Sequence, residues 1–493
     1  MKTVKILLLV TVLLIGMVVG VNASSPYYSY TYSYQSDGSI IDIAAPLPYL
    51  PEAVYGTAEL QVPLKAPEDI VIDAAKQHFY IVDSVTNAVY CFDRDLKLVK
   101  TIDSYVENGE TKTFASPAGI FLDAADTLYV ADTVNQRVVV LDAEGNFVRA
   151  ITRPESELLP EEFAFMPLKV VADEAGRVFV LCKNVYEGLM QFSAEGAFVG
   201  FIGSNRVVFK ISELIWKTIM TDEQKEGLTS FVPVEYTNIS LDDDGFIYAV
   251  TSVKNVEAPI RRLNSSGDDI LIRNPLNGSE AVVGDVLYRE VGGSDDIVGP
   301  SAFVDITQDA NGNYYALDGK RGRIFAYDEE GNMLFVFGGI HSGQAGTFSS
   351  PSAIVFVDGE LYVLDKGRCS LTAFSPTVYT TTIHNAIDAY LQKDYEQSIE
   401  LWEDVLKMNS NFDLAYMKAG YAYYRMNRYE EAMKYFKIAS ARAEYSKAYI
   451  QYKKEQLNEH FDVIVPVAAA VLAVGGTGVW LICRHVRRRR NRQ

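Results

Sequence analysis

Apolar and polar positions are most regularly ordered over residues 116–151, SPAGIFLDAADTLYVADTVNQRVVVLDAEGNFVRAI. Four short apolar runs, Gly119–Leu122, Leu128–Ala131, Val138–Leu141 and Phe147–Ile151, are rich in β-branched or aromatic residues and bounded by Asp, Asn or Gly. Such runs predict strands separated by tight turns. Ala143-Glu144-Gly145-Asn146 predicts the hairpin before the fourth run, because glycine and asparagine accept a positive φ. One sheet of four short strands cannot bury both faces, so the block needs neighbours like itself.

Those neighbours are present. Pro67, Pro117, Pro167, Pro233, Pro300 and Pro351 each open a similar block, at spacings of 50, 50, 66, 67 and 51 residues. Aromatic-containing second strands follow at His78–Asp83, Leu128–Asp132, Val178–Leu181, Phe246–Val250, Tyr314–Asp318 and Leu361–Asp365. A repeat of this size predicts a mainly β fold, a six-bladed β-propeller, in which radial packing covers each sheet with two others. Val54–Leu60 is expected to supply a strand that helps close the ring.

Leu128-Tyr-Val-Ala-Asp132, followed by Asn135, Arg137 and then Asp142-x-x-Gly145, resembles the NHL repeat of six-bladed propellers. Asp83 with Asn87, Asp318 and Asp365 repeat the feature, whereas Lys183-Asn184 and Thr251-Ser252 replace the aspartate in blades three and four. The resemblance covers residues 54–378 and implies an NHL-type propeller, without fixing a function. Asp83, Asn87, Asp132, Asp318 and Asp365 are expected to hydrogen-bond turn backbone, a structural role.

In a four-stranded blade, the turns between strands two and three emerge on the same face as the blade-to-blade connections. Those connections are long: 103–116, 152–166, 203–232, 273–299 and 339–350. The third predicts a helical insertion at about 204–230, with Thr221-x-x-Gln224 resembling a capping box, and the fourth a small hairpin at Ala281–Glu290. Elaborated loops on a rigid scaffold are where binding residues usually sit. The candidate contacts on that face are Asn135, Arg137, Arg321, Arg323 and Arg368.

No catalytic constellation accompanies them. Calcium-dependent lactonases on six-bladed propellers place carboxylates and an asparagine around the central channel, as a hard cation requires. The acidic runs Asp242-Asp243-Asp244 and Asp295-Asp296 sit in no such motif, and the first reads as a strand-to-strand turn before Gly245. Peptide-amidating lyases on NHL-like propellers use histidine-rich zinc sites. The propeller here has only His78 and His341. The cysteines Cys91, Cys182, Cys369 and Cys483 read as thiols outside any disulfide framework. No cofactor or metal is predicted, and calcium stays open only with an enzymatic alternative.

The ends of the chain differ from its middle. Lys2 and Lys5, the apolar run Ile6–Val21 and Val21-Asn22-Ala23 predict a signal peptide over 1–23. Residues 24–53 predict a Tyr-rich, extended leader. From 379 to 461 the period becomes helical, and Tyr395-Glu396 recurs 34 residues later as Tyr429-Glu430. That period resembles the tetratricopeptide repeat, a short all-α segment. Tyr416, Ala419, Gly420, Tyr423, Ala432, Phe436 and Ala439 fall where that family places its packing residues. The first repeat departs from the pattern at Thr382 and Asn385, and 441–461 reads as a capping helix.

Residues 462–483 predict one transmembrane helix, and the Arg-rich tail 484–493 is expected in the cytoplasm. Taking away the two leader lysines, and the six arginines and one aspartate beyond residue 461, turns the net charge of −19 into −26 on residues 24–461. So acidic a surface disfavours nucleic acid. Asn238, Asn264 and Asn277 open glycosylation sequons, which matter only in a eukaryotic secretory pathway; the short basic leader and few cysteines favour a bacterial cell surface. The reading is a single-pass membrane protein whose extracellular part binds protein, peptide or carbohydrate, accessory to a membrane complex such as a transporter. The alternatives are a cation-dependent lactonase- or lyase-like enzyme and a structural envelope spacer.

Overall fold

The computed structural model describes residues 27–34, 39–73, 75, 77–160, 162–204, 235–252, 258–273, 283–286, 299–341 and 343–490. The expected signal peptide, the helical insertion beyond Ser204, Asp295-Asp296, most of Ala281–Glu290 and the Asn277 sequon lie outside the described residues.

Six antiparallel sheets form a propeller. Blade one is β4 (Pro67–Ile72), β5 (His78–Asp83), β6 (Ala88–Asp93) and β7 (Leu98–Ile102). Blade two is β10 (Pro117–Leu122), β11 (Leu128–Asp132), β12 (Arg137–Leu141) and β13 (Phe147–Thr152), and a hairpin, β8 (Ser104–Glu107) with β9 (Glu110–Thr113), precedes it. Blade three is β14 (Pro167–Ala172), β15 (Val178–Cys182), β16 (Leu189–Phe192) and β17 (Phe198–Ile202). Blade four shows three strands among the described residues, β18 (Asn238–Leu241), β19 (Ile247–Val250) and β20 (Ile260–Leu263).

Blade five is β21 (Phe303–Gln308), β22 (Tyr314–Asp318), β23 (Arg323–Tyr327) and β24 (Met333–Gly338). Blade six is β25 (Pro351–Val357), β26 (Glu360–Asp365), β27 (Ser370–Pro376) and, from the other end of the chain, β3 (Tyr49–Tyr55). The first strands touch in sequence around the ring, and β25 returns to β4.

The second and third strands are almost wholly buried, as sheets covered on both faces require. Apolar clusters fill the seams between blades rather than one central core. Between blades six and one, for example, Phe79, Phe92 and Ile81 pack with Val357, Tyr362 and Leu364.

Three expectations are sharpened or corrected. The described part of the leader is extended, but as strands packed on the propeller. Tyr27, Tyr30, Tyr32 and Tyr49 are buried, and β1 (Tyr30–Tyr34), flanked by β2 (Ile40–Ala44), joins the outer edge of blade five at Tyr30↔Val336. The closing strand is Tyr49–Tyr55 rather than Val54–Leu60, of which Thr57–Leu60 forms a single helical turn, α1. The Tyr49 ring stacks on Phe337 with centroids 5.2 Å apart, which fixes the strand's inward face. Pro300 does not mark an equivalent position, and Pro233 lies outside the described residues. The residue paired as Pro67 pairs in blade one is Phe303 in blade five, each with a bulge to the residue two further on.

C-terminal to the propeller, a helical unit begins at Thr382. Its helices are α2 (Val378–Leu391, begun in the preceding unit), α3 (Tyr395–Met408), α4 (Asp413–Arg425), α5 (Tyr429–Ile438) and α6 (Arg442–Glu459). Each of α3 to α6 packs on the next. Ala419, Gly420, Tyr423, Ala432, Phe436 and Ala439 are buried there and Tyr416 is half-buried. A side chain on Gly420 would meet the Phe436 ring at 2.7 Å, so the glycine sets how closely α4 and α5 approach. The long α7 (Phe461–Arg490) contains one stretch, Phe461–His485, long and apolar enough to cross a membrane.

Gly119 shows how tight the inner seam is. A Cβ there would lie 2.3 Å from the Leu168 carbonyl oxygen in blade three. Gly119→Ala is therefore expected to destabilise the propeller by about 1–3 kcal/mol, the usual cost of overpacking, read as a lowered calorimetric Tm. An unchanged Tm would mean that the seam yields.

Candidate functional site

Two layers of polar residues are built on this frame. The first is the set of turns between strands two and three. Asp83, Asp132, Asp318 and Asp365 close the second strands and are at most 1% exposed. Asp83 accepts backbone N–H bonds from Lys65 (2.6 Å) and Ala66 (2.8 Å) on the incoming connection, and from Val85 (3.0 Å) and Thr86 (2.8 Å) in its own turn. Asp365 does the same with Ser349, Ser350, Gly367 and Arg368. Asp318 binds Ala302, Lys320 and Arg321. Each carboxylate thus clamps a turn to the connection that enters its blade.

Four residues after each aspartate, Asn87, Gln136, Gly322 and Cys369 adopt a left-handed φ of 51–60°. Asn87 is therefore equivalent to Gln136, not to Asn135. Its side-chain oxygen accepts the Ser116 N–H of the next blade at 2.7 Å.

The candidate binding residues occupy the third and fifth places after the aspartates, and they spend their donors internally. Asn135 Nδ2 bonds Asp132 (2.9 Å) and the Thr113 carbonyl (3.1 Å). Arg137 Nε bonds Asp132 at 2.8 Å and its Nη2 reaches the same carbonyl at 3.2 Å. Arg321 and Arg323 converge on the buried Asp285, and Arg323 also bonds Tyr30 Oη at 3.1 Å. Arg368 donates to the Thr347 carbonyl at 2.7 Å and to that of His341. These side chains fasten loops. Apolar groups are nevertheless exposed on that face, beside the polar Gln136, Lys183 and Asn184: Val85, Val134, Leu158 and Tyr186 are 56%, 58%, 65% and 37% exposed.

The second layer is only partly marked in the linear sequence. One equivalent position of the first strand, next to a bulge in every blade but the fourth, is occupied in turn by Asp69, Gly119, Lys169, Asn238, Asp305 and Ala353. The polar members meet across the channel. Lys169 Nζ lies 2.7 Å from Asp69 Oδ1, an ionic contact that leaves the buried ammonium without an aligned hydrogen bond.

Asn238 Nδ2 donates to Asp305 Oδ1 at 2.6 Å and to the Val304 carbonyl at 3.1 Å. Asp69 accepts Ile120 N–H (3.0 Å) and Asp305 accepts Ile354 N–H (2.6 Å), each from the following blade. The layer therefore stitches neighbouring blades together. Burial, opposed by the Lys169 charge and reinforced by Asp69, pushes Asp305 from the ordinary 3.8 up to about 7. A signal for the ring did exist: the residue two places after the opening proline in blades one, two, three and six. It failed for Asn238 and Asp305, where the prolines lie three residues off the frame.

A calcium ion wants six to eight oxygen ligands. The ring offers two carboxylates and one amide, and the Lys169 ammonium already stands among them, so this donor set does not fit calcium. Among the described residues no group of three or more His, Cys, Asp or Glu side chains could hold a metal ion. His78 is engaged with Asp73, Nδ1 to Oδ2 at 2.7 Å. Asp242 belongs to a turn, accepting the Phe246 N–H at 2.8 Å and pairing with Arg262. Cys91 and Cys182 are free buried thiols. Asn238 is 1% exposed, which withdraws its sequon from glycosylation.

The profile of the SMP-30/gluconolactonase/LRE-like region matches residues 51–165, which hold blades one and two. No curated protein matches the chain. Among solved structures, the chain is similar to virginiamycin B lyase from Staphylococcus aureus, at 11% identity over 66% of this chain and 99% of that one, with a TM-score of 0.39. A putative gluconolactonase gives 12% identity, 68% and 94% coverage and a TM-score of 0.40. A protein of unknown function from Bacteroides thetaiotaomicron gives 14%, 69% and 80%, and 0.41. None of these three likenesses bears on chemistry.

The raised Asp305 carboxyl has a pH signature. Between about 4 and about 7 the folded chain keeps a proton that the unfolded chain has released, so this group's contribution to stability falls as pH rises and levels off above that window. Asp305→Asn removes the ionisation. The Tm of the variant minus that of the wild type should increase from pH 4 to about pH 7; a difference constant with pH contradicts the raised value.

Proposed function

We propose that this chain is a membrane-anchored binding scaffold whose propeller recognises a protein or peptide through its turn face. One observation carries the reading. Val85, Val134 and Tyr186 in the turns of blades one to three, and Leu158 in the connection between blades two and three, all belong to one face and are exposed. The buried aspartate clamps make the first two of those turns rigid, and an apolar side chain on a rigid loop loses little entropy when a partner covers it. The repeats are read as NHL-like and the helices as a short tetratricopeptide segment that serves as stalk or second docking site.

The apolar helix Phe461–His485 supports anchoring. The arginines behind it support a cytoplasmic tail and an outward-facing, acidic propeller. Peptide or protein is the ligand class the apolar turns favour over carbohydrate, and a membrane transporter complex is the concrete partner proposed. The profile match over residues 51–165 supports a second reading, a cation-dependent lactonase- or lyase-like enzyme. Stoichiometric calcium in the purified full chain, by elemental mass spectrometry, would favour it.

The test of the binding reading is site-specific. A photo-crosslinking residue placed at Val85 or Val134 in the full chain in its own membrane should trap a discrete partner, and Leu158→Asp with Tyr186→Asp should abolish the trapping. The same probe at Val199, exposed on the outer strand of blade three, should trap nothing comparable. Absence of product from both face positions sinks the reading.

A further inference from the structure

We infer that Lys169 is the resident cation of the propeller channel: its tethered ammonium fills a place that the surrounding oxygens would otherwise give to a divalent metal ion. The inference concerns the channel, not the turn face, and stands or falls independently of any partner.

The argument starts from equivalence. Six first strands put an equivalent position around the channel, and three of them supply oxygen-bearing side chains, Asp69, Asp305 and Asn238, whose Oδ1 also accepts the Ile239 N–H at 2.6 Å. Gly119 and Ala353 supply almost no volume, and Lys169 is the ring's one cationic residue. The carboxylates are not free to swing away from each other. Asp69 is held by the N–H groups of Ile70 (3.1 Å) and Ile120 (3.0 Å), and Asp305 by those of Ile306 (2.8 Å) and Ile354 (2.6 Å).

Two buried acidic groups fixed by backbone repel when both are ionised unless something positive lies near them. The Lys169 side chain, 12% exposed, reaches in from blade three with its nitrogen 2.7 Å from Asp69. Its charge also acts on Asp305, where it opposes the effect of burial.

An ion pair of this kind tolerates loss of both partners far better than loss of one, because one partner alone is a buried charge without compensation. Removing only the ammonium leaves the carboxylates, the asparagine and a vacated volume. A hard divalent cation with its remaining waters is the ligand class that meets such oxygens.

The experiment uses the full chain in detergent and calcium chloride as the probe. Lys169→Ser should be destabilised in EDTA and regain several degrees of Tm, or its fold, when millimolar calcium is added, because a ligand that binds the folded state alone raises Tm. Wild type should shift by less than a degree. Asp69→Asn combined with Lys169→Ser, which removes both charges, should fold in EDTA and ignore calcium. A Lys169→Ser chain indifferent to calcium, folded or not, overturns the inference. So does a wild-type chain that gains the same calcium shift or carries stoichiometric calcium.

Discussion

A propeller depends on closure. Each blade hides its two faces against its neighbours, so an unclosed ring would leave one face of each of its two end blades exposed. Here β3, from the N-terminal side of the propeller, lies beside β27 and completes blade six, and β25 packs back on β4. Ser352 Oγ reaches the Pro67 carbonyl at 3.0 Å across the same junction. The chain's two ends of the ring therefore meet in hydrogen bonds as well as in the Phe79–Tyr362 contact.

Around that closed ring, one residue type performs two tasks at two depths. The turn aspartates sit at strand ends and take three or four donors each, most of them backbone, so their cost of burial is met locally. Asp69 and Asp305 sit one step further in. Their N–H donors come partly from the next blade, and the charge they carry must be met from across the channel. That difference explains why the turn layer fastens loops while the channel layer couples blades, and why burial moves Asp305 so far.

The linear pattern carried the blades well. Leu128–Asp132 and Tyr314–Asp318 announce second strands by a short apolar run that contains tyrosine and ends in aspartate, and both form as expected. The leader was harder to read. Tyr28, Tyr30, Tyr32 and Tyr34 alternate with Ser29, Thr31 and Ser33, but tyrosine has an apolar ring and a polar tip, so the alternation does not mark a buried face, and yet the Tyr30 and Tyr32 rings are buried. Arg137 and Arg368 looked available because charged residues in turns usually face water; in three dimensions the carbonyls of Thr113 and Thr347 lie within reach.

By itself the sequence determined the number of blades, the helical segment that follows them and the apolar stretch that ends the chain, because those depend on local period and on run length. Tertiary structure alone decided that Tyr49–Tyr55 closes blade six, that Arg321 and Arg323 share Asp285, and that Lys169 faces Asp69. These pairs are separated by dozens to hundreds of residues. No local period records such a meeting, since it is set by the radial geometry that brings equivalent positions of different blades to one axis.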